Sequence, residues 1–490
     1  MKRKSLYDKN EKRMKQQDNN PKLSRRQFLK IGGGAVAAAS VMAACGPKTP
    51  EVSEEAAVGE IPKGKMSYRR NAHGDKVSLL GYGSMRLPLV QEGSAREKEG
   101  EIDVEAVKRH IAFAFSHGVN LVDTAPPYCQ GRSEGVMGEV LSAYPRDSYF
   151  LSTKLSNFTA ETWGLEASKG IFRHSLEALR TDHVDYLLMH ACGMPAKDLQ
   201  GNELDGMQAF HRRFVENGML DFLLEEREAG RIRNLGFSYH GDVRVFDLLM
   251  EWHERYHWDV ALIQHNYVDW KHAREINPRN TNSEYLYGAL AERGIPALVM
   301  EPLLGGRLAD LDDVAVERLK SRDPQASVAS WAFRFAANQP GILSVISGMT
   351  YMEHLQDNVR TYSPHKPLTE SELIMLADIA NLYVRFPVVP CTHCDYCMPC
   401  PYGLNIPEIF SHYNKCLNEG NVVTERGSES YRKARRAFLV GYDRSVPRLR
   451  QADHCIHCNH CLSHCPQGIQ IPKEMDRINQ FVEELKTSII

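Results

Sequence analysis

Nine of the twelve cysteines fall between Cys391 and Cys465, and eight of these form two runs of one design. The first reads Cys391-Thr392-His393-Cys394-Asp395-Tyr396-Cys397-Met398-Pro399-Cys400-Pro401 and the second Cys455-Ile456-His457-Cys458-Asn459-His460-Cys461-Leu462-Ser463-His464-Cys465-Pro466. Two-residue spacing lets three thiolates converge on one face of an iron–sulfur cubane, and the fourth cysteine, followed by proline, goes to the partner cluster. Cys391, Cys394, Cys397 and Cys465 are therefore expected to hold one [4Fe–4S] cluster, and Cys455, Cys458, Cys461 and Cys400 a second. Cys-x-x-Cys pairs also build tetrahedral zinc sites, but a third cysteine at the same spacing plus Cys-Pro exceeds what a zinc ribbon needs. The first run has two residues, not three, before its last cysteine, so the placing of Cys400 is less closely fixed than that of Cys465. A second constellation lies upstream, in Asp123-Thr124-Ala125-Pro126-Pro127-Tyr128, Ser152-Thr153-Lys154 and Leu188-Met189-His190. A tyrosine beside a lysine and an aspartate makes a proton donor, because the ammonium lowers the phenol pKa and the carboxylate keeps the lysine charged and oriented. A histidine nearby would orient and polarise a carbonyl.

These groups can meet only if the chain sets them side by side. Short apolar runs alternate with helical patterns from residue 66 onward, the mark of repeated βα units. Strands are expected at 77–82, 119–123, 149–154, 184–190, 232–238, 261–267, 295–301 and 342–347, with helices between them. Eight such units favour an α/β fold of the (β/α)8 TIM-barrel type, whose catalytic groups sit at the C-terminal ends of the strands. Asp123, Lys154 and His190 end the second, third and fourth strands. The first βα turn lacks Gly-x-Gly-x-x-Gly, which weakens a dinucleotide-binding open sheet. The long insert 401–454 contains a helical stretch at 406–417, so an α-helical ferredoxin-like iron–sulfur domain is expected over 389–490, with Cys416 a buried thiol.

Of the 490 residues, 42% are hydrophobic and 25% charged, ordinary globular composition. A formal charge of −2 provides no global basic field, so nucleic acid is not an expected partner. The first 45 residues are not fold. Ser24-Arg25-Arg26-Gln27-Phe28-Leu29-Lys30 and the weakly apolar stretch after it resemble a twin-arginine export signal, which implies the Tat export machinery as a partner. Met42-Ala43-Ala44-Cys45 resembles a bacterial lipobox, which would make Cys45 a lipid anchor and the protein a periplasmic or membrane-anchored lipoprotein. Met42 stands where a lipobox usually has leucine, which leaves a plain cleavage site open. Residues 46–65 read as a Glu/Pro/Lys-rich tether, 66–365 as the barrel, and 366–388 as a helical connector.

The barrel is identified as a member of the aldo/keto reductases, and the whole chain resembles exported bacterial members carrying a C-terminal 4Fe–4S dicluster domain. The carrying motifs are Gly81-Tyr82-Gly83-Ser84-Met85-Arg86-Leu87-Pro88, Gly236-Phe237-Ser238, Gln264-His265-Asn266-Tyr267 and Glu301-Pro302-Leu303-Leu304-Gly305-Gly306. The resemblance implies NAD(P)-dependent reduction of a small carbonyl or oxidation of an alcohol, a sugar among the candidates. Tyr128 would act as acid/base in a tetrad with Asp123, Lys154 and His190. It also implies that Ser238 and Gln264 meet the nicotinamide carboxamide, and Asp357 and Asn358 the adenine end. Typical members carry basic residues for a 2′-phosphate where this chain has Gly348 and His354, which weakens an NADP preference, and the usual stacking aromatic falls at Met300. Hydride carries two electrons whereas a cubane takes one, so joining them calls for a flavin or another splitter. No flavin motif is recognisable. The clusters therefore serve a redox partner or brace the C-terminal domain. The rival reading is a non-catalytic electron-transfer or assembly subunit that uses the barrel as a docking platform.

Overall fold

Strands buried on both faces have no polar side to turn to water, so they close on one another beneath a ring of helices. The computed structural model describes residues 61–487 apart from 91–99, 312, 386–387, 392–396, 420, 423–428, 463 and 466–468. The twin-arginine segment, Cys45, Cys394 and Pro466 lie outside the described residues. Eight parallel strands form a closed barrel in chain order: β1 (Leu80–Gly83), β2 (Leu121–Asp123), β3 (Phe150–Leu155), β4 (Val184–Cys192), β5 (Ile232–Tyr239), β6 (Val260–Gln264), β7 (Ala297–Met300) and β8 (Ile342–Gly348). The last pairs with the first, Val345 opposite Leu80. The principal helices following these strands are α1 (Val104–Ser116), α2 (Ser133–Leu141), α3 (Leu165–Ala178), α4 (Met219–Glu228), α5 (Val243–Glu251), α6 (Ser283–Glu292), α7 (Val328–Ala336) and α8 (Met352–Thr361). α1 shows the local logic. Asp103 caps it by accepting from the Ala106 N–H at 2.9 Å, and Val107, Ile111 and Ala114 recur on its buried face.

Two expected strands depart from the structure by more than two residues at one end. The run 77–82 splits into Lys76–Ser78, antiparallel to Tyr68–Arg70, and the barrel strand β1. Ser78 donates its hydroxyl to the Leu80 carbonyl at 2.7 Å and its N–H to the Asn120 side chain at 2.8 Å, so local side-chain bonds interrupt the ladder. The sixth strand stops at Gln264 instead of 267. Asn266 Oδ1 accepts from the Val268 and Asp269 N–H groups at 3.0 and 2.9 Å, a turn that launches the helix Asp269–Ile276.

Beyond the barrel, α9 (Glu370–Arg385) buries Leu376, Ile379 and Ala380 in one cluster with Trp331 and Phe335 of α7. The C-terminal region is helical: α10 (Ile406–Asn418), α11 (Glu429–Ser445) and α12 (Ile471–Thr487) share a core of Phe410, Tyr413, Phe438, Tyr442, Met475 and Ile478. Partly buried Cys391, Cys397, Cys400, Cys455, Cys461 and Cys465 pack against that core. Among the described residues no helix is long and apolar enough to cross a membrane.

Candidate active site

Strand register brings the predicted acid and base groups together. Asp123 is aligned with Ser152 across β2 and β3, and Lys154 with Leu188 across β3 and β4. Alternation then puts Asp123, Ser152 and Lys154 on the inner face of the barrel mouth, with His190 two residues beyond Leu188. Lys154 Nζ donates to Asp123 Oδ2 at 2.7 Å and to the Thr124 carbonyl at 2.8 Å, while Ser152 Oγ donates to Asp123 Oδ1 at 2.8 Å. The Lys154 and Asp123 side chains are 1% and 4% exposed. Burial alone lowers the Lys154 pKa, but the Asp123 carboxylate and Tyr128 outweigh it and hold the ammonium above its usual value.

Tyr128 follows Pro126-Pro127 and opens a 3-10 turn in which Cys129 (φ 49°) and Gln130 (φ 58°) both take the left-handed conformation. Such backbone costs about 1–3 kcal/mol per residue, so the surroundings must impose it. The turn seats the half-buried Tyr128 ring over Lys154, with Nζ 4.7 Å from the ring centroid, and edge-on to His190 at 6.2 Å. Burial raises the phenol pKa, while the Lys154 charge pulls it back down. His190 Nδ1 lies 2.6 Å from Ser156 Oγ. Burial, followed by the charges of Lys154, His240 and Arg213, pushes the imidazole well below its ordinary value, so it is neutral. In the tautomer in which the Ser156 hydroxyl donates to Nδ1, the ring proton sits on Nε2 and can be donated to a carbonyl oxygen.

Three further groups join this site to which the sequence reading gave no role there, although Glu301 stands in one of its motifs. Arg213, 2% exposed, donates to the His190 carbonyl at 2.6 Å, to the Ala191 carbonyl at 3.3 Å and to the Asn157 carbonyl at 3.1 Å. Its guanidinium also stacks on Phe214 and Phe158, at 4.7 and 5.2 Å from their centroids. The clamp holds a left-handed Ala191 (φ 53°), whose N–H donates to Ser238 Oγ at 2.7 Å. No spacing signal marks Arg213, because it lies in a short π-helical segment, His211–Val215, remote in sequence from β4. His240 is two residues past Ser238 and close enough for its charge to act on His190. Burial and Lys154 lower its pKa to about 4. Strand alternation from Ser238 would have found it. It sits where β4 and β5 end side by side: the His240 N–H donates to the Cys192 carbonyl, and Gly193 (φ 97°) passes so close that a Cβ would lie 2.5 Å from the His240 carbonyl. Glu301, just past β7 with φ 55°, is near enough to Tyr128 to raise its pKa.

The four expected nicotinamide contacts are placed as follows. Ser238 Oγ accepts from the Ala191 N–H and keeps its own proton to donate. Gln264 Nε2 donates to Asp269 Oδ2 at 2.7 Å, which leaves Oε1 to accept. One donor and one acceptor on adjacent strand ends fit a carboxamide. Asp269 is buried, and burial lifts its carboxyl to about 6. Asn358, on α8, is 3% exposed and gives its amide to Ser347 Oγ at 3.1 Å, while the neighbouring Asp357 accepts from Ser327 Oγ. A Cβ on Gly348 would lie 3.7 Å from Arg86 Cβ, so the aliphatic stem of exposed Arg86 flanks the end of β8.

In the C-terminal region the structure brings Cys400 to the second cysteine run. Burial first, then the charges of Cys455, Cys458 and Cys400, push the Cys461 thiol up to about 11, and Cys455 is raised by the same kind of neighbours. Cysteines gathered in this way suit an iron–sulfur core, which binds them as thiolates. Cys391, Cys397 and Cys465 are described beside the same hydrophobic core, while their expected companion Cys394 lies outside the described residues. Cys416 is a buried thiol 3.4 Å from His412, pushed by burial to about 12. Among the described residues, no group of three or more His, Cys, Asp or Glu side chains forms a single-ion site.

A family model for the aldo/keto reductase family matches residues 79–381, one for a 4Fe-4S dicluster domain matches 390–469, and one for a TAT (twin-arginine translocation) pathway signal sequence matches 22–42. D-arabinose 1-dehydrogenase of Saccharomyces cerevisiae is 34% identical over 111 residues, which is 21% of this chain and 32% of that protein. The chain thus spans about a third of the length of that relative. An uncharacterized oxidoreductase of Bacillus subtilis is 24% identical over 327 residues, 61% of this chain and 90% of that protein. The holo form of an aldo-keto reductase from Bacillus halodurans matches with TM-score 0.48 at 19% identity, covering 64% of this chain and 96% of that structure. The family model covers more than half of the sequence, with the closed barrel and its mouth inside the match: this chain belongs to the aldo/keto reductase family and carries a 4Fe–4S domain behind a twin-arginine signal.

Proposed function

We propose that the protein is an exported oxidoreductase that interconverts a small carbonyl and its alcohol, a sugar being the favoured class, with Tyr128 as the acid/base. The observation that carries this reading is the buried Lys154–Asp123 pair beneath the Tyr128 ring. Taking two charges out of water costs several kcal/mol per ion, which a mere docking platform has no reason to bear. Asp123 keeps Lys154 charged and pointed. Lys154 lowers the barrier to proton loss from the Tyr128 hydroxyl, and neutral His190 donates to the carbonyl oxygen and fixes its orientation. NAD(P), held by the Ser238 hydroxyl and the Gln264 amide oxygen with Asp357 and Asn358 at its far end, supplies or accepts hydride when bound. The yeast relative's name, D-arabinose 1-dehydrogenase, supports testing pentoses first.

In the same reading the eight cysteines hold two [4Fe–4S] clusters that exchange single electrons with a redox partner, and the signal delivers the folded protein to the periplasm, where Cys45 anchors it as a lipoprotein. Tyr128→Phe tests the core of the proposal. It should lower kcat by about 10²–10⁴-fold while iron content stays at the native value. Near-native turnover would remove the assignment and favour the docking-platform reading. Anaerobic titration with NADH and then NADPH, following the cluster absorbance, asks separately whether nicotinamide electrons reach the clusters. Bleaching would require a one-electron splitter between the two.

A further inference from the structure

Helix α11 has two faces. Tyr431, Ala434, Phe438 and Tyr442 are buried at helical spacing. On the other face Arg432, Arg436, Val440 and Arg444 recur every four residues and are all exposed. The 3-10 turn Arg448–Arg450 that follows adds exposed Arg448 and Leu449, the latter 78% exposed. The stretch 432–450 holds seven basic residues against one acid, Asp443, in a chain whose net charge is −2. Asp443 accepts from Gln451 Nε2 at 3.0 Å, and Arg435 turns inward to the Leu485 carbonyl. The ion pairs of this region join Lys415 to Glu419, Arg477 to Glu474, Lys486 to Glu483, His454 to Asp453 and His457 to Asp476; among the described residues none reaches the four exposed arginines.

This face leads to the cluster loops. Arg450 Nε donates to the Gly403 carbonyl at 3.0 Å, the Arg450 carbonyl accepts from the Asn405 N–H at 3.0 Å, and the Gly403 N–H donates to the Cys400 carbonyl at 2.9 Å. Cys400, Cys455 and Cys461 pack against one hydrophobic core, Cys458 is exposed, and Ile456 between the ligands is 57% exposed. We infer that the Arg432–Arg436–Val440–Arg444 face, continued by Arg448 and Leu449, docks an acidic one-electron carrier protein that exchanges electrons with the cluster at Cys400 and Cys455. Exposed Val440 and Leu449 inside a rim of cations match the small, transient interfaces of redox pairs, in which charge steers the encounter. One electron leaves the reduced centre of the carrier, which is oxidised, and enters the cluster, which is reduced; no bond is made and no proton is moved.

The inference rests on the proposed electron-carrying role of the clusters, and the test separates the two. The probe is a reduced plant-type [2Fe–2S] ferredoxin, an acidic protein, mixed anaerobically with the intact iron-loaded protein. Binding and the rate of cluster reduction are read from low to high salt. Arg432→Glu/Arg436→Glu/Arg444→Glu should weaken binding and slow reduction about 10–100-fold at low salt, with the difference vanishing as screening shortens the Debye length to about 3 Å near 1 M salt. Leu449→Asp should weaken binding at all salt concentrations, whereas Arg109→Glu/Arg173→Glu on the barrel should change neither. Dithionite should reduce native and variant clusters alike. If the triple variant binds and is reduced like the native protein, the docking face is wrong. Clusters that dithionite cannot reduce would overturn the electron-carrying reading itself. Binding of the same face to phosphatidylglycerol vesicles with no response to ferredoxin would reassign it to a membrane and overturn the inference.

Discussion

Replacing Arg213 should dissociate geometry from charge at His190. In the structure its guanidinium spans three carbonyls, those of His190, Ala191 and Asn157, and holds Ala191 left-handed. A hydrogen bond from a charged donor contributes about 1.5–3 kcal/mol, and orphaned buried acceptors add desolvation. Arg213→Ala should therefore cost about 3–5 kcal/mol of stability, short of the full sum because the carbonyls share one donor. Arg213→Lys keeps the charge but cannot bridge all three carbonyls, and should cost about 1.5–3 kcal/mol. Once the clamp is gone, a left-handed alanine that costs about 1–3 kcal/mol relaxes. A displacement of His190 near 1 Å is enough for about a 10²-fold loss, so both variants should lower kcat by about 10–100-fold with KM nearly unchanged. Their pH profiles should part. Burial and then Lys154 are the larger causes of the low His190 pKa, but Arg213 adds to them. Alanine should thus move the acid limb of kcat to higher pH, and lysine should leave it in place. The assay is initial rate against pH on a carbonyl substrate of the native protein, with urea unfolding alongside. Native kcat and native stability in Arg213→Lys would refute the clamp.

Acidification should destabilise the protein through histidines that folding desolvates. His190, His240, His265 and His365 all have lowered pKa values, the last three to about 4, 3 and 4, with burial the first cause in each. Below pH 6.5 the unfolded chain takes up protons that the folded protein refuses. Stability therefore falls as pH drops from about 6.5 towards 4, by at most about 1.4 kcal/mol per pH unit for each histidine. Asp269, raised to about 6, works in the opposite sense between pH 6 and 3.8 and offsets part of one histidine. A urea midpoint that is flat or rising from pH 7 to pH 5 would contradict this balance. The cysteines give a paired test: Cys400→Ser should reduce iron by about four atoms per chain, whereas Cys416→Ser should leave iron content unchanged, and equal losses would remove the distinction between ligand and buried thiol.

Much of this protein is fixed by local pattern. Apolar runs of strand length between amphipathic helices admit few arrangements other than a closed parallel barrel, and Cys-x-x-Cys-x-x-Cys announces its ligand chemistry without reference to fold. The strand ends also announce Asp123, Lys154 and His190, because catalytic groups of such barrels gather there. Ser78 and Asn266 defeated the strand boundaries, since their side chains bond to nearby backbone and end a ladder that the apolar pattern would continue. Arg213 and His240 became visible only in three dimensions. A guanidinium from a segment between β4 and β5 reaches carbonyls at residues 157, 190 and 191, and no periodicity links those positions. The neutrality of His190 is likewise a tertiary property, set by burial and by the charges of Lys154 and Arg213, which come from separate parts of the chain. Sequence determines which groups are present and which elements carry them. Only the closed barrel decides how dry each group is and which charge it faces, and these two quantities set its chemistry.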